Sequence, residues 1–134
     1  MSTRKGMALI LTLVMAALIG TTAMLLFSTT NTEVNIQTNV RRINQAKISA
    51  ASGLNHFIAL GLNYAALRGR ASGASSIQIV PATDLSTFTS YEVFVYFTPD
   101  LNEGQYVVES IGYYKKRDKV VALHKIKSLF DGRQ

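Results

Sequence analysis

The sequence predicts an α+β fold in which one long N-terminal α-helix, over about residues 7–64, packs by its C-terminal half on a small antiparallel β-sheet. Three observations predict it. The 134-residue chain has 27 consecutive residues without a charge between Lys5 and Glu33. Apolar or small residues then recur at helical spacing as far as residue 61. Beyond residue 76 the pattern changes to short runs of β-branched and aromatic residues.

The first element is an apolar segment over residues 7–27 that is long enough to cross a membrane. It contains 21 residues, of which 17 are apolar. As a helix it would extend about 31 Å, which matches a hydrocarbon core of about 30 Å. Arg4 and Lys5 precede it, whereas the first charge after it is the acidic Glu33. This asymmetry predicts a membrane helix with its N-terminus in the cytoplasm.

Three interpretations of this segment are open at this point. A cleaved secretory signal has an apolar stretch of about 7–15 residues and then a small-x-small cleavage site. Thr21-Thr22-Ala23 is a poor version of that site, and the apolar run continues past it to Phe27. A plain signal anchor fits the length and the charge asymmetry. The third interpretation depends on the residues that follow.

The second element continues the same helix, because no proline precedes Pro81 and no cap or breaker separates Phe27 from the stripe that follows. Its apolar stripe recurs three or four positions apart: Ile36, Val40, Ile43, Ala46, Ala50, Leu54, Phe57 and Gly61. The opposite side is predicted to be polar: Asn35, Asn39, Arg42, Gln45, Ser49 and His56. The pattern therefore predicts one continuous helix of roughly 85 Å that is apolar all round at first and amphipathic later.

The remaining residues are predicted to form a loop and then strands. Residues 68–76 are rich in glycine and serine, which indicates a loop. Strands are predicted at 77–80, ending at Pro81, and at 91–97. Residues 105–115 and 119–130 flank Arg117-Asp118 and are predicted to form a hairpin. An antiparallel sheet of these strands would cover the amphipathic half of the helix.

Few residues indicate catalysis, and the chain is predicted not to be an enzyme. It contains no cysteine, which excludes a thiolate nucleophile and a thiolate metal site. Neither His56 nor His124 has a His, Asp or Glu three or four positions away, so the helical spacing of a metal pair is missing. We therefore expect neither a cofactor nor a metal.

The basic C-terminal part, residues 113–134, is the main candidate for a binding surface, with a net charge of +5. Four cations cluster at the predicted hairpin tip beside two tyrosines: Lys115, Lys116, Arg117 and Lys119. Such a cluster suits an anionic partner, which is either nucleic acid or an acidic neighbouring subunit. It equally suits a solvated tip whose lysines deter edge pairing.

The beginning of the chain resembles a type IV pilin precursor. The resemblance is carried by Arg4-Lys5-Gly6 followed by Met7-Ala8-Leu9-Ile10-Leu11, a short basic leader that ends in glycine before an uninterrupted apolar helix. Residues 44–55 look like the small-residue stretch in the helix of PilX-like minor pilins, and residues 108–112 are similar to a strand late in such subunits. In outline the whole chain resembles the type IV pilin and pseudopilin superfamily.

This resemblance implies cleavage between Gly6 and Met7 by a prepilin peptidase, and N-methylation of Met7. It implies a leader at 1–6, a transmembrane and filament-core helix at 7–27, and a part over 28–134 that holds the amphipathic half of the helix and a β-sheet head. The subunit would first be a single-pass protein of the bacterial inner membrane, and later part of a pilus or pseudopilus in the periplasm or at the cell surface. The implied partners are other minor and major pilins, the peptidase and the inner-membrane assembly platform.

Leu11 departs from the family pattern, because most members carry a glutamate at this fifth position of the mature chain. In the family that glutamate is thought to meet the N-terminal amine of a neighbouring subunit, and a buried charge without a partner is costly. Leu11 therefore predicts a minor subunit that primes, initiates or caps a filament rather than a bulk subunit. The alternative is a signal-anchored exported binding protein, or a competence-type DNA-binding minor pilin, that uses the basic C-terminal hairpin.

Overall fold

A computed structural model describes residues 2–99 and 101–132, with side chains from residue 6 onward. The elements are two helices and four strands: α1 Ser2–Ala59, α2 Tyr64–Ala71, β1 Ser76–Asp84, β2 Thr89–Tyr96, β3 Gln105–Lys116 and β4 Lys119–Asp131. The long helix followed by an antiparallel sheet confirms the predicted α+β layout. The chain divides into two compact units, one up to Asn39 and one from Val40 onward.

The first unit is the N-terminal part of α1, and its polar side chains bond within the helix. The Thr12 hydroxyl donates to the carbonyl oxygen of Ala8 at 3.1 Å, and the Thr21 hydroxyl donates to that of Ala17 at the same distance. Such bonds satisfy a hydroxyl without water, as a helix in lipid requires. The threonines of residues 7–27 are therefore compatible with an apolar environment.

In the second unit the four strands form one antiparallel sheet in the order β1-β2-β3-β4. The predicted hairpin is confirmed, since β3 and β4 are joined by the two residues Arg117 and Asp118. Their φ angles are 51° and 60°, and two successive left-handed residues are what a type I′ hairpin turn requires. Lys116 and Lys119 are the last paired residues before this turn.

The C-terminal part of α1 lies so close to the sheet that only small side chains fit between them. Ala46 and Ala50 are fully buried, and the site opposite them is Gly112 on β3. A Cβ atom on residue 112 would overlap the carbonyl oxygen of Ala46 and the backbone nitrogen of Ala50. The predicted packing of the sheet on the amphipathic half of the helix is therefore confirmed from Ala46 onward.

Two serines bond this helix and sheet together directly. The Ser110 hydroxyl on β3 donates to the carbonyl oxygen of Ala50 at 2.7 Å. The Ser49 hydroxyl on α1 donates to the carbonyl oxygen of Ser90 on β2 at 2.8 Å. All four residues are fully buried, where an unmade hydrogen bond is most costly. These bonds fix the position of the helix along the strands as well as its distance from them.

The aromatic part of the core lies where α1 ends. Phe57 contacts Tyr106 and Phe130 edge to face, with ring centroids 6.3 Å and 5.6 Å away, and those two rings stack at 5.7 Å. Leu67 of α2 is buried in the same cluster. The core is thus bulky at this end and composed of small residues at the end near Gly112.

Two predicted boundaries were wrong in the region after α1. The helix ends at Ala59 rather than near residue 64, because Gly61 adopts a φ of 57° and Asn63 begins a new helix. The Asn63 side chain accepts a hydrogen bond from the backbone nitrogen of Ala66 at 2.8 Å, which is a helix N-cap. The predicted loop therefore begins only after Ala71.

The predicted stripe and the predicted first strand also need correction. Val40 and Ile43 are exposed, whereas Ser49, expected on the polar side, is fully buried. Val40 and Ile43 precede Ala46, from which the sheet packs on α1, and within that contact the close approach of the backbones favours small residues such as Ser49 over large apolar ones. Strand β1 continues through Pro81 instead of ending there, because an edge strand tolerates proline at register shifts, which occur on both sides of Val80.

Candidate functional site

The apolar segment 7–27 is exposed throughout in the described chain. Met7 and Leu11 are 75% and 65% exposed, and their spacing of four residues places them on one face of α1. Among the described residues one helix is long and apolar enough to cross a membrane; its most apolar window has a mean hydropathy of 2.4 and is nowhere buried. This supports membrane association through a near-N-terminal anchor or signal.

Gly6 lies inside α1, at a position where the local structure does not require glycine. A glycine in a helix interior costs about 1 kcal/mol relative to alanine. A Cβ atom on residue 6 would meet no atom within 4 Å, so no contact in the described chain requires glycine there. The side chains of Arg4 and Lys5, and all of Met1, lie outside what the structure describes.

The four cations of the predicted site come together at the β3–β4 turn, and we call residues 115–119 the basic tip. Lys116, Arg117 and Lys119 are exposed, and Lys115 is half-buried. Lys116 lies directly opposite Lys119. Like charges in direct cross-strand opposition destabilise a sheet. The Asp118 carboxylate is the only acidic group in the turn, so the basic tip is cationic.

The two tyrosines beside the basic tip are not open stacking surfaces. Both are half-buried; the Tyr114 ring lies 6.2 Å from the ring of Phe88, and the Tyr113 hydroxyl donates to a carboxylate oxygen of Glu92. Base stacking needs an accessible ring face. The tip therefore offers positive charge rather than the combination of charge and exposed rings that single-stranded nucleic acid prefers.

Sequence reasoning missed a polar network on the outer face of the sheet, the face turned away from α1. Glu109 on β3 is only 3% exposed there. One of its carboxylate oxygens, Oε2, lies 3.0 Å from the Lys127 ammonium, and the other, Oε1, lies 3.5 Å from the Lys125 ammonium. The signal in the sequence is two lysines spaced by two in a predicted strand, but their acidic partner is defined only by the strand register. Part of the basic charge of residues 113–134 is therefore neutralised within the sheet.

Glu92 on β2 lies on the same face of the sheet, and the pKa of Tyr113 beside it is raised. Burial is the first cause, and the hydrogen bond to Glu92 together with the negative charges of Glu92 and Glu109 adds to it. The Gln78 amide also donates to Glu92, at 3.2 Å. Burial alone raises the pKa of Tyr106 on the opposite face. Beside Lys125 and Lys127 the outer face has a shallow cavity of about 490 Å³, lined also by Tyr96, Thr98, Val107 and Glu109.

The Tyr113 hydroxyl gives a testable pH dependence. Because its pKa is higher in the folded chain than in the unfolded chain, the unfolded chain releases this proton first as the pH rises. The stabilisation is therefore complete below about pH 10 and declines above it. We expect Tyr113→Phe to cost about 1 kcal/mol at neutral pH. The difference in the free energy of unfolding between this variant and the unmodified chain should shrink as the pH is raised to about 11. Chemical denaturation at each pH measures it.

Tyr114→Phe is the control for that experiment, because it removes the same atom from the next residue of β3 without touching Glu92. A stability difference between Tyr113→Phe and the unmodified chain that stays constant from about pH 8 to pH 11 would contradict the assigned hydrogen bond.

No group of three or more His, Asp or Glu side chains within residues 6–99 and 101–132 is placed to hold a metal ion. Comparisons of the chain with protein-family models, with curated proteins and with solved structures found no match.

Proposed function

We propose that the chain is a PilX-like minor pilin that helps to prime, initiate or cap the assembly of a type IV pilus or related filament. The observation that carries the proposal is the single helix α1, which bears an exposed apolar segment and, further along, a face bonded to a β-sheet. This is the layout that the resemblance implies for a subunit that is first a membrane protein and then part of a filament.

The exposure of residues 7–27 supports this function on physical grounds. A continuous apolar surface of this size is unfavourable in water and is covered by lipid or by other apolar chains. Small residues in the segment permit close helix–helix packing in either setting: Ala16, Ala17, Gly20 and Ala23. One segment therefore serves as a membrane anchor before assembly and as a packing surface afterwards.

Leu11 supports the restriction to a minor subunit. It lies on the same helix face as Met7, whose amine would be the new N-terminus after cleavage. A neighbour's amine that packed against Leu11 would find no carboxylate, and an unpaired buried charge is costly. A subunit of this kind suits a position where that contact is made on one side only, at the tip or in an initiating complex.

The basic tip fits the same proposal as a contact for an anionic partner. Because Tyr113 and Tyr114 are half-buried and held by Glu92 and Phe88, the tip favours an acidic neighbouring subunit over single-stranded DNA. The opposition of Lys116 and Lys119 has a cost in the isolated chain that an acidic partner placed between them would remove.

Processing at Gly6 tests the proposal. The full chain is produced in bacterial membranes together with an active prepilin peptidase, and its N-terminal peptide is analysed by mass spectrometry. We expect loss of residues 1–6 and a methylated Met7. Gly6→Leu should leave the chain uncut, because the side chain enters the cleavage position. Gly20→Leu is the matched control, since it also replaces a helical glycine with nothing within 4 Å and should be processed normally.

An intact Met1 in cells where the same peptidase cleaves a known pilin would overturn the proposal. Cleavage near Ala23 would overturn it as well, and would favour a secreted protein with a removable signal.

A further inference from the structure

The direction of β3 along α1 shows at which end of the second unit the basic tip lies. The contacts run in opposite order along the two elements: Phe57 with Tyr106, Ala50 with Ser110, and Ala46 with Gly112. From Gly112 to the turn β3 continues for about 17 Å, whereas α1 extends only about 9 Å from Ala46 back to Val40. The basic tip therefore lies at the end where α1 enters the second unit, and it extends past Val40.

The loop between β1 and β2, residues 85–88, lies at the same end of the sheet. The Lys115 backbone nitrogen donates to the carbonyl oxygen of Phe88 at 2.7 Å, which joins this loop to the basic tip. We call the loop together with residues 115–121 the tip end. Four of its apolar side chains are between 43% and 52% exposed: Leu85, Phe88, Val120 and Val121. The tip end thus presents apolar side chains next to cations.

The tip end stays cationic when the neighbouring carboxylates are included. The four cations of the basic tip outnumber two acidic residues, Asp118 in the turn and Asp84 at the end of β1. Arg41, which follows Val40 on α1, is exposed and adds to the positive charge. An anionic surface would therefore be attracted to this end of the second unit.

Three features of the tip end reduce the stability of the sheet itself. Arg117 has a left-handed backbone, with a φ of 51°, at a turn position that favours asparagine, aspartate or glycine. Lys116 stands directly opposite Lys119. The pairing of β3 with β4 also shifts after Tyr114 and leaves Val121 out of the register. Costly features of this kind concentrate at functional surfaces.

We propose that the tip end binds the anionic headgroups of the membrane that holds residues 7–27. Cations near a membrane surface are attracted by lipid phosphates, and apolar side chains beside them enter the boundary between headgroups and acyl chains. An acidic protein would account for the cations of the tip end alone. A lipid surface accounts for its exposed apolar side chains as well.

The tether between the tip end and such a membrane is short. Residues 28–39 connect Val40 to the apolar segment and are helical, which makes this tether about 18 Å long. A tether of this length keeps the tip end at a high effective concentration near the membrane surface. The inference rests on the membrane anchor of the proposed function and not on the filament. In a filament, an acidic neighbouring subunit would take the place of the lipid.

Fluorescence quenching of the full chain in lipid vesicles tests the contact. The chain has no cysteine, so Thr87→Cys in the tip end and Asn102→Cys, between β2 and β3 at the other end, are labelled with the same fluorophore. The vesicles consist of phosphatidylcholine with or without phosphatidylglycerol, and some lipids carry a quencher on the headgroup. Phosphatidylglycerol should increase quenching at residue 87 about twofold and leave residue 102 unchanged. High salt should reverse the increase.

Charge variants separate a contact by the tip from general attraction to the vesicle. Lys116→Gln combined with Lys119→Gln removes a like-charge opposition, so the fold should be kept. The two losses together should weaken the contact about 25-fold and abolish the increase in quenching at residue 87. Arg68→Gln combined with Arg70→Gln is the matched control. It removes the same charge from α2, where Arg68 lies over the ring of Phe97 at the other end, and should change nothing.

Equal quenching at residue 87 with and without phosphatidylglycerol would overturn the inference and leave an acidic protein as the partner of the basic tip. Quenching that persists without Lys116 and Lys119, or that is as strong at residue 102 as at residue 87, would overturn it too. A label on an Ile19→Cys variant reports on the anchor separately. If a quencher dissolved in water reaches that label freely, residues 7–27 are not inserted, and the membrane anchor of the proposed function fails together with the inference.

Discussion

Replacing Gly112 with alanine is expected to remove much of the stability of the second unit, about 3 kcal/mol or more. The new Cβ atom would overlap backbone atoms of Ala46 and Ala50 and lie 2.9 Å from the Cα atom of Ala50. Backbone atoms have no other rotamer, so α1 must move away from β3. That movement also lengthens the hydrogen bond from Ser110 to Ala50, which leaves a buried hydroxyl unsatisfied.

Gly69→Ala is the matched control, because Gly69 lies in α2 with open space around its Cα atom. Alanine is favoured over glycine in a helix by about 1 kcal/mol, so this variant should be neutral or slightly more stable. Unfolding of the full chain in detergent is followed by the near-ultraviolet circular dichroism of the six tyrosines, which reports on the sheet rather than on α1. Equal stability of the two variants would show that α1 is not held at this distance.

The contact at Gly112 also explains how the helix and sheet act as one body in the second unit. Two serine bonds, and a third between the His56 ring and the Tyr91 hydroxyl at 2.9 Å, join α1 to β2 and β3. Each hydrogen bond needs its own donor and acceptor, so it fixes the position of α1 along the strands. Apolar packing alone would leave α1 free to slide. If the proposed function holds, a load on the helix within a filament passes to the sheet through these bonds.

The parts of this fold that depend on neighbours in sequence were predictable. The hairpin follows from Arg117-Asp118 between two strand-forming runs, and the cations of the basic tip cluster because they are adjacent in the chain. The long helix follows from the apolar segment and the absence of breakers. In each case the cause and its effect lie within a few residues of each other.

The parts that depend on register or tertiary packing were not predictable. Glu109 meets Lys125 and Lys127 across 16 or more positions, and a shift of one residue would turn it to the other face of the sheet. The stripe on α1 failed at Ser49 for a similar reason. A serine can lie in close contact with a strand when a backbone carbonyl oxygen accepts the hydrogen bond of its hydroxyl, and a pattern of hydrophobicity does not reveal that acceptor.

Helix α2 was missed because its local composition is that of a loop. Residues 68–76 contain glycines and serines at a density typical of turns, and an isolated helix of eight residues is not stable in water. Its stability comes from Leu67 and Ala71, which are four residues apart and buried against the aromatic end of the core. The signal that was available is the Asn63 cap, but a cap alone does not predict that the following residues find a core to cover.

Leu67→Ala tests that explanation and is expected to cost about 3 kcal/mol, within the range of about 2–5 kcal/mol for leucine truncation in a core. Leu67 is fully buried, and the cavity left by its side chain would lie between α2 and the Phe57 cluster. Because Leu67 is the one large side chain of α2 that is fully buried, while Tyr64 is only partly buried, the amides of α2 should lose protection in hydrogen exchange before the sheet unfolds. Leu60→Ala makes the same chemical change at an exposed site just after α1 and should cost less than about 0.5 kcal/mol. If the two variants unfold at the same denaturant concentration, or if α2 keeps its protection in Leu67→Ala, then tertiary packing of Leu67 is not what holds this helix in place.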